Sequence, residues 1–539
     1  MGWRERREQR ERLAADGFES QSPKVASVVR VNDLLRREVQ RVRARYDLAQ
    51  TTVDNRKHWA AADGLSAIAA NSPSVRRILR NRSRYEVGNN GYFDGMGTTL
   101  ANDSIGAEIR LQVRTGNRAA DSRIETLWSE WAEAVGLGEK LWTMRLAKFE
   151  DGEAFAMLIT NPKLQSPVQL DLRLLEADQV SSPYLQLESP TGVDGIEFDA
   201  AGNPIAYHVL KQHPGDPFLV AGSPLDYYRV AAENMLHYFR VRRPGQARGI
   251  PECTSTVGLS ASMRRYTGAV VAAAETAADL AMVIESSAPA SGADEDDQEE
   301  VTAMETIELE KNQATVLPKG WKLGQARSEQ PTTTYAQFKH EVIGEAARPV
   351  CMPYNIAAGD SAGYNYASGR LDHQTYYRAQ RIERALLRRR VLEPLFRDWF
   401  RELALVARVM KIALPVALWQ IQRTWLFDGH EHVDPVKEAS AQKTRLESHT
   451  TTLAREYGAQ GLDWEEELEQ AAREKERMEQ LGLSAPPPAD PEPEPPQDAD
   501  DPDEQDGASA KQPARAAAID LRANGHHRRN GVHPPKVTA

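Results

Sequence analysis

Three groups of residues could do chemistry by type and spacing. Asp360-Ser361, with His373 twelve residues on, offers a hydroxyl nucleophile and a distant base. His430-x-His432, with Asp434 after it, could ligate a metal, but an exposed turn before a helix explains the run and no further ligand is suggested. Asp151-Gly-Glu153 presents two carboxylates at a turn, where a glycine between ordered segments explains them without catalysis. No Gly-x-x-x-x-Gly-Lys-Ser/Thr phosphate loop and no Gly-x-Ser-x-Gly elbow occurs. The expectation is a chain with no catalytic residue, no metal and no cofactor.

The stretch that stands out instead is Pro353 to Arg370, rich in glycine and carrying Asp360, Ser361, Tyr364, Asn365 and Tyr366. Pro353 is expected to stop the preceding helix, and Gly359, Gly363 and Gly369 to keep the segment a mobile loop. It runs into a long helical pattern studded with Arg378, Arg381, Arg384, Arg388, Arg389 and Arg390, which Pro394 should kink. A polar loop on a stiff lever suits contact with something that passes by.

The elements that position this device read in order. Residues 1–46 form a basic arm with eleven arginines. Residues 60–100 are expected to be helical, with Ile68, Val75, Ile78, Leu79 and Tyr85 facing inward and a break at Gly88-Asn-Asn-Gly91. A strand is expected over 105–113 and a helix over 121–149, its apolar face holding Leu127, Trp128, Trp131 and Leu141. Strands follow at 154–160, 170–175, 195–199, 206–210 and 237–241, giving an α+β region with antiparallel pairing. Residues 252–284 read as one helix rich in small side chains, among them Ala269, Ala273, Ala277 and Ala281, which let helix axes approach closely. High alanine helix propensity explains the same pattern without a partner. An acidic run follows, Asp294, Glu295, Asp296, Asp297, Glu299 and Glu300, then a strand pair over 306–309 and 314–317 and a helix over 334–347. Residues 419–427 look like a strand. Residues 435–481 look helical, with Trp464, Leu468, Ala472 and Met478 on one face. From Ser484 the composition is that of a disordered tail.

The chain has 539 residues, 41% of them hydrophobic, and a net charge of −11. That balance argues against a broad basic face gripping nucleic acid. Two cysteines, Cys253 and Cys351, exclude a disulfide framework. The most apolar stretch, 267–284, is broken by Glu275 and Asp279, so a soluble intracellular protein is expected.

Several runs in a fixed order resemble the lambda-type portal (head-to-tail connector) proteins of tailed bacteriophages. They are Arg82-x-Arg84 with Gly88-Asn-Asn-Gly-Tyr92, Asp151-Gly-Glu153, and Gly195-Ile-Glu-Phe-Asp199 with Gly202, Pro204 and Tyr207-His208. Gln246-x-Arg248-Gly249-x-Pro251, Asn365-Tyr-Ala-Ser368-x-Arg370 and Val433-Asp-Pro-x-Lys437-Glu438 complete the set, across roughly residues 45–482. The chain departs in having Ala367 where the family usually carries serine, which puts a paired-serine role in doubt. It also lacks the usual glycine near Leu446.

The resemblance implies an α+β portal fold and a closed ring of about twelve subunits. It lays out an arm (1–46), an α+β wing (47–250), a first stem helix (251–286), a clip (287–332) and a second stem helix (333–350). A tunnel loop (351–370), a kinked long helix returning to the wing (371–430), a helical crown (431–482) and a disordered tail (483–539) follow. It implies a virion protein at the capsid vertex, assembled in the host cytoplasm, with double-stranded DNA passing the tunnel loop transiently. The acidic clip would face the terminase large subunit and then a head-completion adaptor; major capsid and scaffold proteins are further implied partners. The arginines of 378–390 would make inter-subunit salt bridges or meet DNA phosphates. The rival reading is a non-portal minor virion protein or a DNA-processing enzyme.

Overall fold

The computed structural model describes residues 53, 56–182, 192–216, 226–279, 283–286, 321–324, 334–410, 421–430 and 435–483. The arm, the acidic run 294–300, the expected strands 306–309 and 314–317, Ala281, His432, Val433, Asp434 and the tail from Ser484 lie outside the described residues. The chain divides into two compact units, residues 1–471 and 472–539. Of the second, the described part is the end of a helix and the turn after it.

The described part of the first unit holds α1 (Ala67–Ala70), α2 (Pro73–Asn89) and α3 (Gly91–Ile105), then β1 (Ile109–Arg114), α4 (Arg118–Ala134) and α5 (Leu137–Asp151). The Gly88–Gly91 signal is a junction between two helices: Asn90 ends α2 and caps α3, its side chain accepting from the Tyr92 N–H at 3.2 Å. The strand expected from Ile105 starts at Ile109, because α3 runs to Ile105. The helix expected over 121–149 is two, parted by Gly136 in the left-handed region (φ 62°).

Strands β2 (Glu153–Thr160) and β3 (Leu170–Leu175) match expectation. Next come β4 (Gly192–Val193), β5 (Ile196–Phe198), β6 (Pro204–Leu210), β7 (Tyr227–Ala231) and β8 (Met235–Phe239). All pairing is antiparallel, in a three-stranded sheet ordered β3-β2-β8 and a four-stranded sheet ordered β4-β5-β6-β7. β7 was not anticipated: its Tyr-Tyr-Arg-Val-Ala lacks clean alternation.

Then follow α6 (Val257–Asp279), the paired strands β9 (Val283–Ser286) and β10 (Trp321–Gly324), α7 (Tyr335–Ala347) and α8 (Tyr354–Ala358). α9 (Tyr366–Leu387) leads through a π-helical turn (Arg388–Leu392) into α10 (Glu393–Met410). That turn is where the kink was expected. Proline at 394 cannot donate to a carbonyl one α-turn back, and the turn before it widens, the Glu393 N–H reaching Arg388 O instead. β11 (Gln422–Phe427) pairs with β1, and α11 (Pro435–Glu447), α12 (Leu453–Ala459) and α13 (Trp464–Gln480) end the described chain. The helix expected over 435–481 is thus three. No helix among the described residues is long and apolar enough to cross a membrane.

The largest core cluster joins Trp128 and Trp131 of α4 to Phe396 and Trp399 of α10 and Trp425 of β11. The Trp128 ring lies 5.1 Å from Trp399 and 5.2 Å from Trp425, both edge-on. Buried aromatics of this size contribute about 2–3 kcal/mol each from area alone. They bind the returning long helix to the α+β region.

One helix turns the expectation around. Val75, Ile78 and Tyr85 of α2 are exposed, and its buried residues are Arg76, Arg80, Ser83 and Glu86. The charged face points inward because it has partners there.

Candidate functional site: a buried charge junction behind the loop of the long helix

The junction starts from two glycines. α5 ends at Asp151, and Gly152 reverses the chain in the left-handed region (φ 87°), its N–H bonding Lys148 O at 3.0 Å. The segment carrying Gly249 crosses directly over this turn. A Cβ on Gly249 would stand 2.5 Å from the Gly152 carbonyl carbon and 2.6 Å from Glu153 Cβ, so the backbones touch only because both positions lack side chains.

That approach delivers Arg248 to Glu153, the first residue of β2. Arg248 grips the Glu153 carboxylate through Nε (3.0 Å) and Nη2 (2.7 Å), and the Gly249 N–H adds a bond of 2.7 Å. His237 of β8 is 3.1 Å from Glu153 Oε2. The rest of the Arg248 fork donates to the carbonyls of Val180 (2.9 Å) and Ala177 (3.1 Å), and Nη1 lies 3.3 Å from Asp194 Oδ2. Asp194 takes Arg76 as a second partner and holds a positive φ of 36° in the tight turn before Gly195. Arg80 bonds Asp178 at 2.6 Å; Arg84 bonds both oxygens of Asp151 at 2.7 Å and reaches Asp178 at 2.9 Å.

Burial alone would raise Glu153, but the Arg248 charge and the bonds from His237 and Arg248 outweigh it and hold the carboxyl well below its usual range. Burial pushes His237 the other way, down to about 4, against the attraction of Glu153. The imidazole is therefore neutral near pH 7. This cluster is an ion network with every carboxylate matched to a guanidinium, which is a framework and not a site for proton transfer.

A second network lies against the first. On α5, Arg145 and Lys148 face Glu252 and Glu383: Arg145 Nη1 is 2.9 Å from Glu252, and Lys148 Nζ is 2.9 Å from Glu383 and also pairs with Glu252. Arg240 meets the other Glu383 oxygen at 2.6 Å, and Tyr238 donates to Glu383. Burial works against the Glu383 charge, yet Lys148, Arg145 and Arg240 hold its carboxyl well below the usual range. Glu383 sits on α9, so the lever that begins at the glycine-rich stretch is bolted to the sheet by a buried charge.

The stretch itself is more ordered than expected. Helix α7 ends at Ala347 and passes into a 3-10 turn (Arg348–Val350) before Pro353 is reached; Pro353 instead opens α8. Gly359 and Gly363 hold fixed positive φ values of 64° and 82°, and Gly369 lies inside α9. Asp360, Ser361 and Asn365 are exposed and Tyr364 half-buried on the turn between α8 and α9. Asp360 accepts from the Ala362 N–H at 2.8 Å, and Asn365 and Ser368 form a reciprocal cap on α9 at 2.9 and 3.2 Å. Ser368 is thereby accounted for. Tyr366 opens α9; its side chain is outside the described set.

Other expected sites resolve plainly. His373 meets Asn355 Nδ2 at 2.8 Å, and His430 stacks on Tyr377 at 3.9 Å. Of the helix arginines, Arg378, Arg381, Arg388 and Arg389 are exposed. Arg384 instead donates to the Asp103 carbonyl (2.8 Å) and the Asp428 carbonyl (2.9 Å), and Arg390 covers the Phe239 ring. These two make contacts within the subunit's own fold. On α6, Ala269 is exposed and Ala273 half-buried, while Met263 and Val270 face the core; the side chain of Ala277 is outside the described set. Arg82 of the Arg82-x-Arg84 run is exposed; Arg76 and Arg80, which do engage, were missed. Their signal was an i, i+4, i+8 arginine stripe, Arg76-Arg80-Arg84, on one helix face.

The comparisons with known proteins bear on the same residues. The family description "Phage portal protein, lambda family" matches residues 54–384. A curated relative, the probable portal protein of Halomonas phage phiHAP-1, is 26% identical over 436 residues, covering 76% of this chain and 82% of its own. Among solved structures, a chain from the neck of an empty gene transfer agent particle aligns at 15% identity and a TM-score of 0.41, over 80% of this chain and all of its own. A chain from the native particle's neck aligns at 14% identity and a TM-score of 0.39, over 76% of this chain and 99% of its own. The matched span contains both charge networks, the interlocked glycines and the turn before α9, and it is more than half of the sequence. This chain belongs to the lambda family of phage portal proteins.

Proposed function

We propose that this subunit closes side by side with copies of itself into a ring at one capsid vertex, through which double-stranded DNA enters during packaging and leaves at ejection. The observation that carries the reading is the family match across 54–384, joined to buried ion pairs made by residues of that span, Glu153 with Arg248 and Glu383 with Arg240. The role is structural: a channel and a docking platform, with no catalytic residue assigned.

The turn of Asp360, Ser361, Tyr364 and Asn365, with Tyr366 at the start of α9, faces the channel in this reading. Two positive-φ glycines and a capped helix start hold it, so it meets passing DNA as a fixed polar rim. Phosphate binding dominates protein–DNA affinity and is salt-dependent. A ring of subunits each carrying −11 repels the backbone and keeps that affinity low, which suits passage. The alanine face of α6, with Ala269 outward, suits close packing against the neighbouring subunit. The acidic run Asp294–Glu300 is assigned to terminase and adaptor docking, and capsid and scaffold contacts to the outer rim.

Electron microscopy of the purified protein should show closed rings of about twelve subunits. A monomer by mass photometry would favour a non-portal virion protein. In a packaging assay, replacing Asp360, Ser361, Tyr364 and Asn365 by alanine should leave rings intact while changing DNA translocation or retention by several-fold. Unaltered packaging and retention would remove this turn from the mechanism.

A further inference from the structure

We propose that the first unit carries a calcium site built from Glu125 of α4 and Asp463 and Glu466 at the start of α13. The oxygens of these three carboxylates lie within 4.8 Å of one another. Glu125 is only 9% exposed, and Asp463 is buried as well. One Glu125 oxygen accepts the Val113 N–H at 2.6 Å, while the other, buried Oε2, has no hydrogen-bond partner. Asp463 spends Oδ1 on the Glu465 N–H at 2.9 Å. Of the nearby cations, Arg118 pairs with Glu465 at 3.1 Å and Glu469 at 3.6 Å, and Arg110 with Glu108 at 3.4 Å.

Three carboxylates with oxygens this close together are mutually repulsive unless a cation or a proton joins them. Burial raises Glu125 to about 7; the Val113 N–H and Arg118 work against that, and Asp463 and Glu466 add to it. The donor set is all oxygen, which selects a hard divalent ion over zinc or copper. Calcium tolerates irregular sets of carboxylate, carbonyl and water oxygens, whereas magnesium demands near-octahedral geometry and keeps its waters, so calcium suits this set better. Backbone carbonyls and water would complete the shell. Such an ion would fasten the N-terminus of α13 to the β1–α4 layer through Glu125 and its bond to Val113. This inference does not depend on the ring reading, since all three ligands come from one subunit.

The test uses the full-length protein, calcium chloride and magnesium chloride, followed by calorimetry and thermal unfolding. Calcium at about 1 mM should bind with measurable heat and raise the melting midpoint by ~2 °C or more, with magnesium giving less. Glu466→Gln, on an exposed position, and Asp463→Asn should abolish the calcium response. Without calcium, both variants should melt at or above the wild type, because each removes repulsion. The proposal is overturned if calcium gives neither heat nor a midpoint change, or if both variants respond like the wild type. It is equally overturned if acidification from pH 8 to 6 stabilises the protein while calcium does nothing, which would assign a shared proton instead.

Discussion

Arg248→Met should cost about 3–5 kcal/mol of folding stability, the range for breaking a buried ion pair by removing one partner. Methionine fills similar volume, so the loss isolates the guanidinium. Glu153, fully buried, would keep its charge with only His237, the Gly249 N–H and a 3.5 Å approach from Arg80 to compensate. The carbonyls of Val180 and Ala177 would lose their donor too. Arg248→Lys should fall between, since an ammonium keeps the charge but not the fork that spans Glu153 and two carbonyls. Denaturant titration of the three proteins orders them arginine, lysine, methionine. A methionine variant within about 1 kcal/mol of wild type would show that the network is not what holds β2 to the 246–251 segment.

The same cluster sets an acid limit. Glu153 has its folded pKa below its unfolded one, so its stabilisation is complete above about pH 4.5 and is lost as pH falls below that. His237, held at about 4 against an ordinary 6.5, refuses a proton that the unfolded chain accepts. Stability therefore falls as pH drops from about 6.5 to 4, by roughly 3 kcal/mol for this one group at 1.4 kcal/mol per tenfold in proton affinity. Glu125 acts in the opposite sense, because its raised pKa favours the folded state as pH falls from about 7 towards 4.5. His237→Gln should flatten the wild-type stability slope between pH 6.5 and 4.5. An unchanged slope would place the acid sensitivity elsewhere.

How far the fold was legible depends on where each residue's partner lies. Trp128 and Trp131 announced a buried face because helical spacing and apolarity agree, and both are buried. Strands β2 and β3 were legible as short apolar runs bounded by turn signals, and both are buried over most of their length. Helix α2 was not, because local patterning assigns Val75, Ile78 and Tyr85 inward. The partners that draw Arg76 and Arg80 inside, Asp194, Asp178 and Glu153, are distant in sequence. A charge-matched core contact of that separation leaves no trace in the apolar pattern, only the arginine stripe on one helix face. The stretch before α9 misled differently. Glycine signals freedom in the unfolded chain, but Gly359 and Gly363 are spent on two positive-φ turns, and Gly369 on a helix. Asp151-Gly-Glu153 was read as a turn, which it is, but the reading missed that a turn between a buried helix end and a buried strand start must bury both carboxylates. The family runs were informative as an ordered set because the network joins them: Arg84, Asp151, Glu153, Gly195 and Arg248-Gly249 meet in one volume.

Gly249→Ala should be more damaging than its single methyl suggests, with a loss above about 4 kcal/mol, beyond the common range for point substitutions. The added carbon would overlap the backbone carbonyl of Gly152, and backbone cannot swing aside as a flexible side chain can. Relief requires the 246–251 segment to lift off the α5–β2 turn. Lifting withdraws Arg248 from Glu153 and the Gly249 N–H from the same carboxylate, so steric and ionic losses arrive together. Gly152→Ala meets the Ile250 backbone from the other side and adds strain at φ 87°. The double variant should be no better than the worse single one, because two methyls compete for space that holds none. Soluble yield and melting midpoint are the readouts, with Gly202→Ala as a control: it also has positive φ (82°) but nothing near its Cβ, and should lose only the conformational strain of about 1 kcal/mol. If Gly249→Ala melts within ~2 °C of wild type, the two backbones are not in the contact described, and the junction that orients α9 through Glu383 loses its geometric basis.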